Sequence, residues 1–174
     1  LGAKTTKFTL SFTEPWLFKA KMKYDLNTFA ENRTEPNYHL KRWGGTSTLG
    51  RNLTIFTKLA MAYKYQDVVY TNIEDINEIN EENRGNIRSL RFSLIRDSRD
   101  SQFNTLNGSY FDVKIESAGG FLKGSHTFAK ITSESRLFFP LKGTTRFLLG
   151  IRQFFGVMNN FGKSKIIPLN ERFY

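Results

Sequence analysis

Asp97 and Asp100 are the residues best placed by type and spacing to do chemistry: two carboxylates three positions apart, with Arg96 and Arg99 interleaved. Two carboxyl groups of unequal proton affinity are what general acid–base and glycosidic chemistry require. The same stretch is crowded with turn formers, however, with Ser98, Asn104, Asn107 and Gly108 close by. Asp and Asn side chains bond neighbouring backbone amides in turns, so the simpler reading is a salt-bridged turn capped by its own aspartates. His39 and His126 are the only histidines, and the chain has no cysteine. Disulfides and thiolate metal sites are excluded, and no nucleophile–base set is visible. The expectation is a chain that is not an enzyme and that carries no metal and no cofactor. Gly44-Gly45 and Gly119-Gly120 precede no helix start, so neither is a phosphate loop.

The elements around that turn are legible from their period. Leu90, Phe92 and Leu94 alternate with Arg91 and Ser93, while Phe111, Val113 and Ile115 alternate with Asp112, Lys114 and Glu116. Strict alternation over this length gives strands with one apolar and one charged face, here a hairpin closed by Asp97–Asn107. The same pattern recurs over Thr6–Thr13, Phe18–Thr28, Leu53–Tyr65, Ser125–Phe139 and Thr144–Val157. Tyr38–Gly50 is the weakest strand, and its Gly44-Gly45 suggests a bulge or bend. Eight strands result, with connections alternately short and long, the Asp97–Asn107 turn being the exception among the short ones. Ala30–Asn37 and the acidic Gln66–Ile87 read as loops, and Ile73, Ile76 and Ile79 leave room for a helical turn in the second. The stretch Met158–Tyr174 reads as a further loop. Glu116 and Glu134 share the polar parity of Lys114, Lys130 and Arg136, which makes a charged network, and the Gly119–Gly124 tip is expected to bring Asp112 near Lys130. Trp16, Tyr63, Tyr65, Phe121 and Phe139 are expected near strand ends.

The 174 residues suit one domain, and Lys+Arg 26 against Asp+Glu 16 leave a net charge of +10 with 17 Phe. Basic residues mixed with aromatics on one face would suit single-stranded nucleic acid. Here the two sets lie mostly on opposite faces, so no nucleic-acid partner is expected. No apolar run is long enough for a membrane helix. Two architectures remain open on these grounds: a membrane barrel with a charged lumen, and a soluble barrel or sandwich that binds an acidic or apolar ligand. Alternation does not say which face is out. Leu1-Gly2 is not a natural start, so a fragment of a longer protein is expected.

Three segments carry a family resemblance. Phe8-Thr-Leu-Ser-Phe-Thr-Glu14-Pro15-Trp16-Leu-Phe18 resembles a segment of the Omp85 (bacterial surface antigen) barrels. Asp97-Ser-Arg99-Asp100, running to Gly108 and on through Ile115–Gly119, resembles a second, with Asn104 where the family usually has proline. Ile167-Pro168-Leu-Asn-Glu-Arg172-Phe173-Tyr174 resembles the run that opens the family's long sixth extracellular loop. The resemblance implies an all-β, antiparallel up-and-down transmembrane barrel, of which residues 1–174 would be about strands four to eleven of sixteen. Periplasmic POTRA domains, the first and last strands and the tip of the sixth loop would lie outside it. For the BamA-type branch it implies an outer-membrane assembly factor that folds and inserts other barrels. Its partners would be the lipid bilayer, unfolded clients and, through the POTRA domains, the lipoproteins of an assembly complex. A secretion translocon is the alternative within the family, and a bacterial outer membrane is the expected location. In that barrel Phe92, Leu94, Phe111, Val113, Ile115, Phe147, Leu149 and Ile151 would face lipid. Lys19, Lys21, Lys23, Arg91, Lys114, Glu116, Lys130, Glu134, Arg136, Arg146 and Arg152 would face the lumen.

Overall fold

The structure is a computed structural model that describes residues 4–17, 21–34, 39–71, 85–141, 147–161, 167, 171 and 172. Eight strands follow one another: β1 (Lys4–Glu14), β2 (Met22–Thr34), β3 (His39–Asn52), β4 (Thr57–Thr71), β5 (Gly85–Asp97), β6 (Gly108–Ala118), β7 (Phe128–Pro140) and β8 (Leu148–Asn160). They form one antiparallel up-and-down sheet in the order β1 to β8, open between β1 and β8. Each strand is long enough to cross a hydrocarbon layer, which takes about 9–11 tilted residues.

Because directly opposed residues share a face, the register converts local alternation into two continuous surfaces. Met61, Phe92, Ile115, Ile131 and Val157 form one row across five strands. One position along, Ala62, Arg91, Glu116, Lys130 and Met158 form a row on the opposite face. Among the described residues nothing packs against the apolar surface: Phe8 is 67% exposed, Phe92 48% and Ile115 52%. A contiguous apolar surface spanning a whole sheet far exceeds what a water-soluble monomer leaves uncovered. The buried apolar clusters are small. Ile87, Ala118 and Phe128 pack with Met158 and Ile167, and Val68 and Tyr70 pack with Leu40. All of the strand residues in both clusters belong to the polar face, so among the described residues no dry core covers the apolar face.

Several boundaries differ from the expectation. Ala30–Thr34 continue β2 and pair with His39–Trp43, which leaves only residues 35–38 for the connection. The polar run Glu31–Thr34 resembles a loop only if a strand must be half apolar. Here Arg42 Nε and Nη2 donate to Glu31 Oε2 at 2.9 and 2.7 Å, so the polar face carries its own cross-strand partners. Likewise β4 starts at Thr57 and runs to Thr71, and β5 starts at Gly85, so the expected Gln66–Ile87 loop shrinks to 72–84. The isoleucines Ile73, Ile76 and Ile79 lie outside the described residues. Loop lengths therefore do not alternate, because 35–38, expected to be long, is shorter than residues 15–21 between β1 and β2, expected to be short. Tyr63 and Tyr65 lie within β4, not near its ends.

The glycine pair of β3 makes no bulge, since pairing is continuous from His39 to Asn52 on both sides. Gly44 answers a different need. A Cβ there would strike the Tyr65 carbonyl oxygen and come within 2.9 Å of Gln66 Cα, so glycine is what lets β4 approach so closely.

Candidate functional site

The polar face is where the charged side chains meet. At one end of the sheet, Asp97 and Arg99 form the salt bridge expected of the turn: Arg99 Nε and Nη2 donate to Asp97 Oδ1 and Oδ2, both at 2.8 Å. Asp100 accepts from the amides of Ser101 at 2.9 Å and Leu106 at 3.1 Å, bridging the two halves of the turn. Gly108 closes it with φ +116, in the region that favours glycine, and a Cβ there would meet the Ser98 carbonyl oxygen. Desolvation pushes the Asp100 carboxyl up, but the amides of Asn107, Leu106 and Ser101 together pull harder, and its pKa settles below the ordinary aspartate value. Both aspartates are thus held within the turn, Asp97 by Arg99 and Asp100 by backbone amides.

From that turn a ladder of ion pairs climbs the polar face. The guanidinium carbons of Arg99 and Arg136 each lie over the Tyr110 ring, at 5.0 and 5.2 Å from its centre. Glu134 Oε1 accepts from both Arg136 Nε and Arg152 Nε at 2.7 Å. Asp112 does not approach Lys130 as expected: it lies opposite Glu134 in register and binds Lys114 Nζ at 2.6 Å. The partner of Lys130 in register is Glu116, because the β6–β7 connection sets the hairpin two pairs further along than a tight tip would.

A further junction on this face is built from residues far apart in sequence. Lys64 Nζ on β4 sits 3.3 Å from Glu116 Oε1 on β6 and 2.7 Å from Glu171 Oε1. Ser89 Oγ donates to Glu116, and Lys130 Nζ donates to the Glu171 backbone carbonyl at 2.8 Å. Ile167 packs on the Ile87, Ala118 and Phe128 cluster, and Arg172 Nε donates to the Ile167 carbonyl at 3.0 Å. The expected terminal loop is therefore pinned to the wall at two points, one apolar and one ionic. A cavity of about 340 Å³ opens here, lined by Lys64, Arg91, Lys114, Lys130, Glu116 and Glu171 among others. A second, of about 460 Å³, lies under the β1–β2 turn, where Pro15 and Trp16 face Lys21, Lys23 and Lys58. Glu14 Oε1 accepts from the Trp16 amide at 3.1 Å and fixes that turn.

Of the residues expected in the lumen, Lys23, Arg91, Lys114, Glu116, Lys130, Glu134, Arg136 and Arg152 share the polar face, and Lys21 lines the second cavity. Phe92, Leu94, Phe111, Val113, Ile115, Leu149 and Ile151 share the apolar face, and Phe147, just before β8, is exposed. Lys19, Arg146, Pro168, Phe173 and Tyr174 lie outside the described residues. Lys64 and Glu171 were not among the expected site residues. Lys64 has the right parity in β4, but nothing local pairs it with an acid 107 positions away.

The Omp85 superfamily domain matches this sequence over residues 1–174. The chain belongs to the Omp85 superfamily. That membership makes this chain part of an outer-membrane β-barrel protein. The crystal structure of BamA from Haemophilus ducreyi lacking POTRA domains 1–3 has the same fold, with a TM-score of 0.81 at 18% sequence identity. The match covers 97% of this chain and 36% of that one, so this Omp85 chain spans about a third of the solved structure. No curated protein matches the sequence significantly.

Proposed function

We propose that this chain is wall from the barrel of a BamA-type assembly factor, which folds and inserts β-barrel proteins into a bacterial outer membrane. The observation that carries the reading is the family match over the full 174 residues, joined to a sheet that follows a BamA barrel at a TM-score of 0.81. In this role the apolar face meets lipid and the charged face lines a hydrated lumen. The work needs no covalent chemistry. An unfolded client strand carries backbone N–H and C=O groups that are costly in hydrocarbon, and a barrel seam can pair them by strand addition as they enter. The wall contributes rigidity: its ion-pair ladder and the clasp on Glu171 hold the barrel while a seam elsewhere opens. Clients and assembly lipoproteins are engaged through other parts of the protein.

The test is reconstitution of the full-length protein, with its periplasmic domains and lipoproteins, into proteoliposomes. An unfolded outer-membrane barrel client is then added, and folding is read as protease protection and heat-resistant migration on gels. Faster client folding than in empty liposomes is the expected result. Export of a soluble passenger without any client insertion would replace this reading with a secretion translocon.

A further inference from the structure

On the polar face of β4 to β8 the row Ala60, Ser93, Lys114, Thr132 and Gly156 is small everywhere except at Lys114. It forms a trough between two taller rows, Arg91, Glu116 and Lys130 on one side and Asp112, Glu134 and Phe154 on the other. The cavity of about 340 Å³ lies here, and its charges do not balance. Four bases, Lys64, Arg91, Lys114 and Lys130, line it against two acids, Glu116 and Glu171. Counting Asp112, Glu134, Arg136 and Arg152 from the adjoining rows gives six bases to four acids. Each of these acids already has a basic partner within 3.3 Å.

Two donors are left over. Arg91 makes no ion pair or hydrogen bond among the described residues, and the Thr132 hydroxyl makes no hydrogen bond among them. They stand on β5 and β7 with Lys114 on β6 between them, about 9–10 Å apart across the sheet at the usual strand spacing. All four lining bases are half-buried, and half-buried positive charge in excess of its partners attracts an anion more strongly than charge on an open surface. We propose that this trough is a binding site for a small multivalent oxyanion of the phosphate class. The Arg91 guanidinium forks two N–H donors onto two of its oxygens, and the Thr132 hydroxyl donates to a third from the other side. Lys114 and Lys130 supply further positive charge while keeping their bonds to Asp112 and to the Glu171 carbonyl. The trough opens on the face opposite Phe92 and Ile115, so the anion comes from the aqueous lumen and not from a lipid headgroup. This rests on the polar face being hydrated and not on the assembly of clients.

Isothermal titration of the folded full-length protein in neutral-detergent micelles tests it, with inorganic pyrophosphate as the probe. One saturable site per folded chain is expected. Arg91→Gln is expected to weaken binding about tenfold, and Arg91→Lys less, because the charge remains without the fork. Thr132→Val is expected to weaken it about threefold, the loss of one hydrogen bond. Arg96→Gln removes a like charge from the same strand on the opposite face, beside Phe111, and should leave the affinity unchanged. Heat-modifiable migration shows that each variant is folded. Absence of a saturable site in the native protein overturns the proposal. So does an equal loss in Arg96→Gln, which would mean diffuse attraction to the net charge. Saturable binding of short-chain phosphatidylglycerol in place of pyrophosphate would move the site to a lipid headgroup and overturn it as well.

Discussion

Lys64 and Glu171 form an ion pair of 2.7 Å across 107 positions of sequence, and this contact ties the stretch that follows β8 to the middle of the wall. Both side chains are largely withdrawn from solvent, at 17% and 10% exposed, so neither charge is well hydrated if the other is lost. Among the described residues, Glu171→Gln leaves Lys64 with the carboxylate of Glu116. Its expected cost is about 1.5–3 kcal/mol, the range for a hydrogen bond to a charged group. A double-mutant cycle with Lys64→Met, read by chemical unfolding of the full-length barrel, should show coupling between the two sites. Additive losses would mean that the pair does not hold the segment. Hydrogen exchange at residues 167–172 should rise in Glu171→Gln and stay unchanged at β1.

The turn after β5 depends on pH through Asp100. Its folded carboxyl binds a proton less tightly than an unfolded one, so its contribution is complete above the ordinary aspartate value of 3.8 and is lost as pH falls below it. Local hydrogen exchange in residues 98–107 is expected to accelerate below about pH 4 in the native protein. In Asp100→Ala the turn should exchange faster at every pH, and the acid-dependent step should shrink to what the Asp97–Arg99 salt bridge contributes.

Gly108→Ala adds a Cβ at a φ of +116 and drives it into the Ser98 carbonyl oxygen. A cost of about 1–3 kcal/mol is expected from the backbone conformation alone. Equilibrium unfolding in detergent micelles measures it. Gly150→Ala serves as the control, since its Cβ would meet only Phe138 ring carbons at ordinary contact distances of 3.6 and 3.7 Å.

The two faces should respond oppositely to the same charge. Val113 lies at mid-strand on the apolar face of β6, and Thr132 on the polar face of β7 lines the cavity beside Lys114. Val113→Arg is expected to cost about 2–4 kcal/mol of stability in vesicles, the value for arginine at a bilayer midplane. Thr132→Arg should cost far less, because the side chain stays in a polar environment. Equal costs would mean that the apolar face does not meet lipid.

The extent of the wall was legible because alternation is local. Phe111, Val113 and Ile115 against Asp112, Lys114 and Glu116 state two faces within six residues, whatever the rest of the chain does. The Asp97–Gly108 turn was legible for the same reason, since its partners lie within a few positions of one another. Strand ends were less so. Glu31–Thr34 is strand because Arg42 and its neighbours on β3 pair with it, and a polar run shows no sign of a partner elsewhere. Alternation is also silent about register, and register chose the partners of each charge. Asp112 has Lys114 and Glu116 faces Lys130, because the β6–β7 connection set the offset between those strands. The clasp of Glu171 on Lys64 lay wholly beyond local reading. It exists because β4, β6 and β7 are neighbours or near neighbours in one sheet, and only folding brings the chain after β8 back across them.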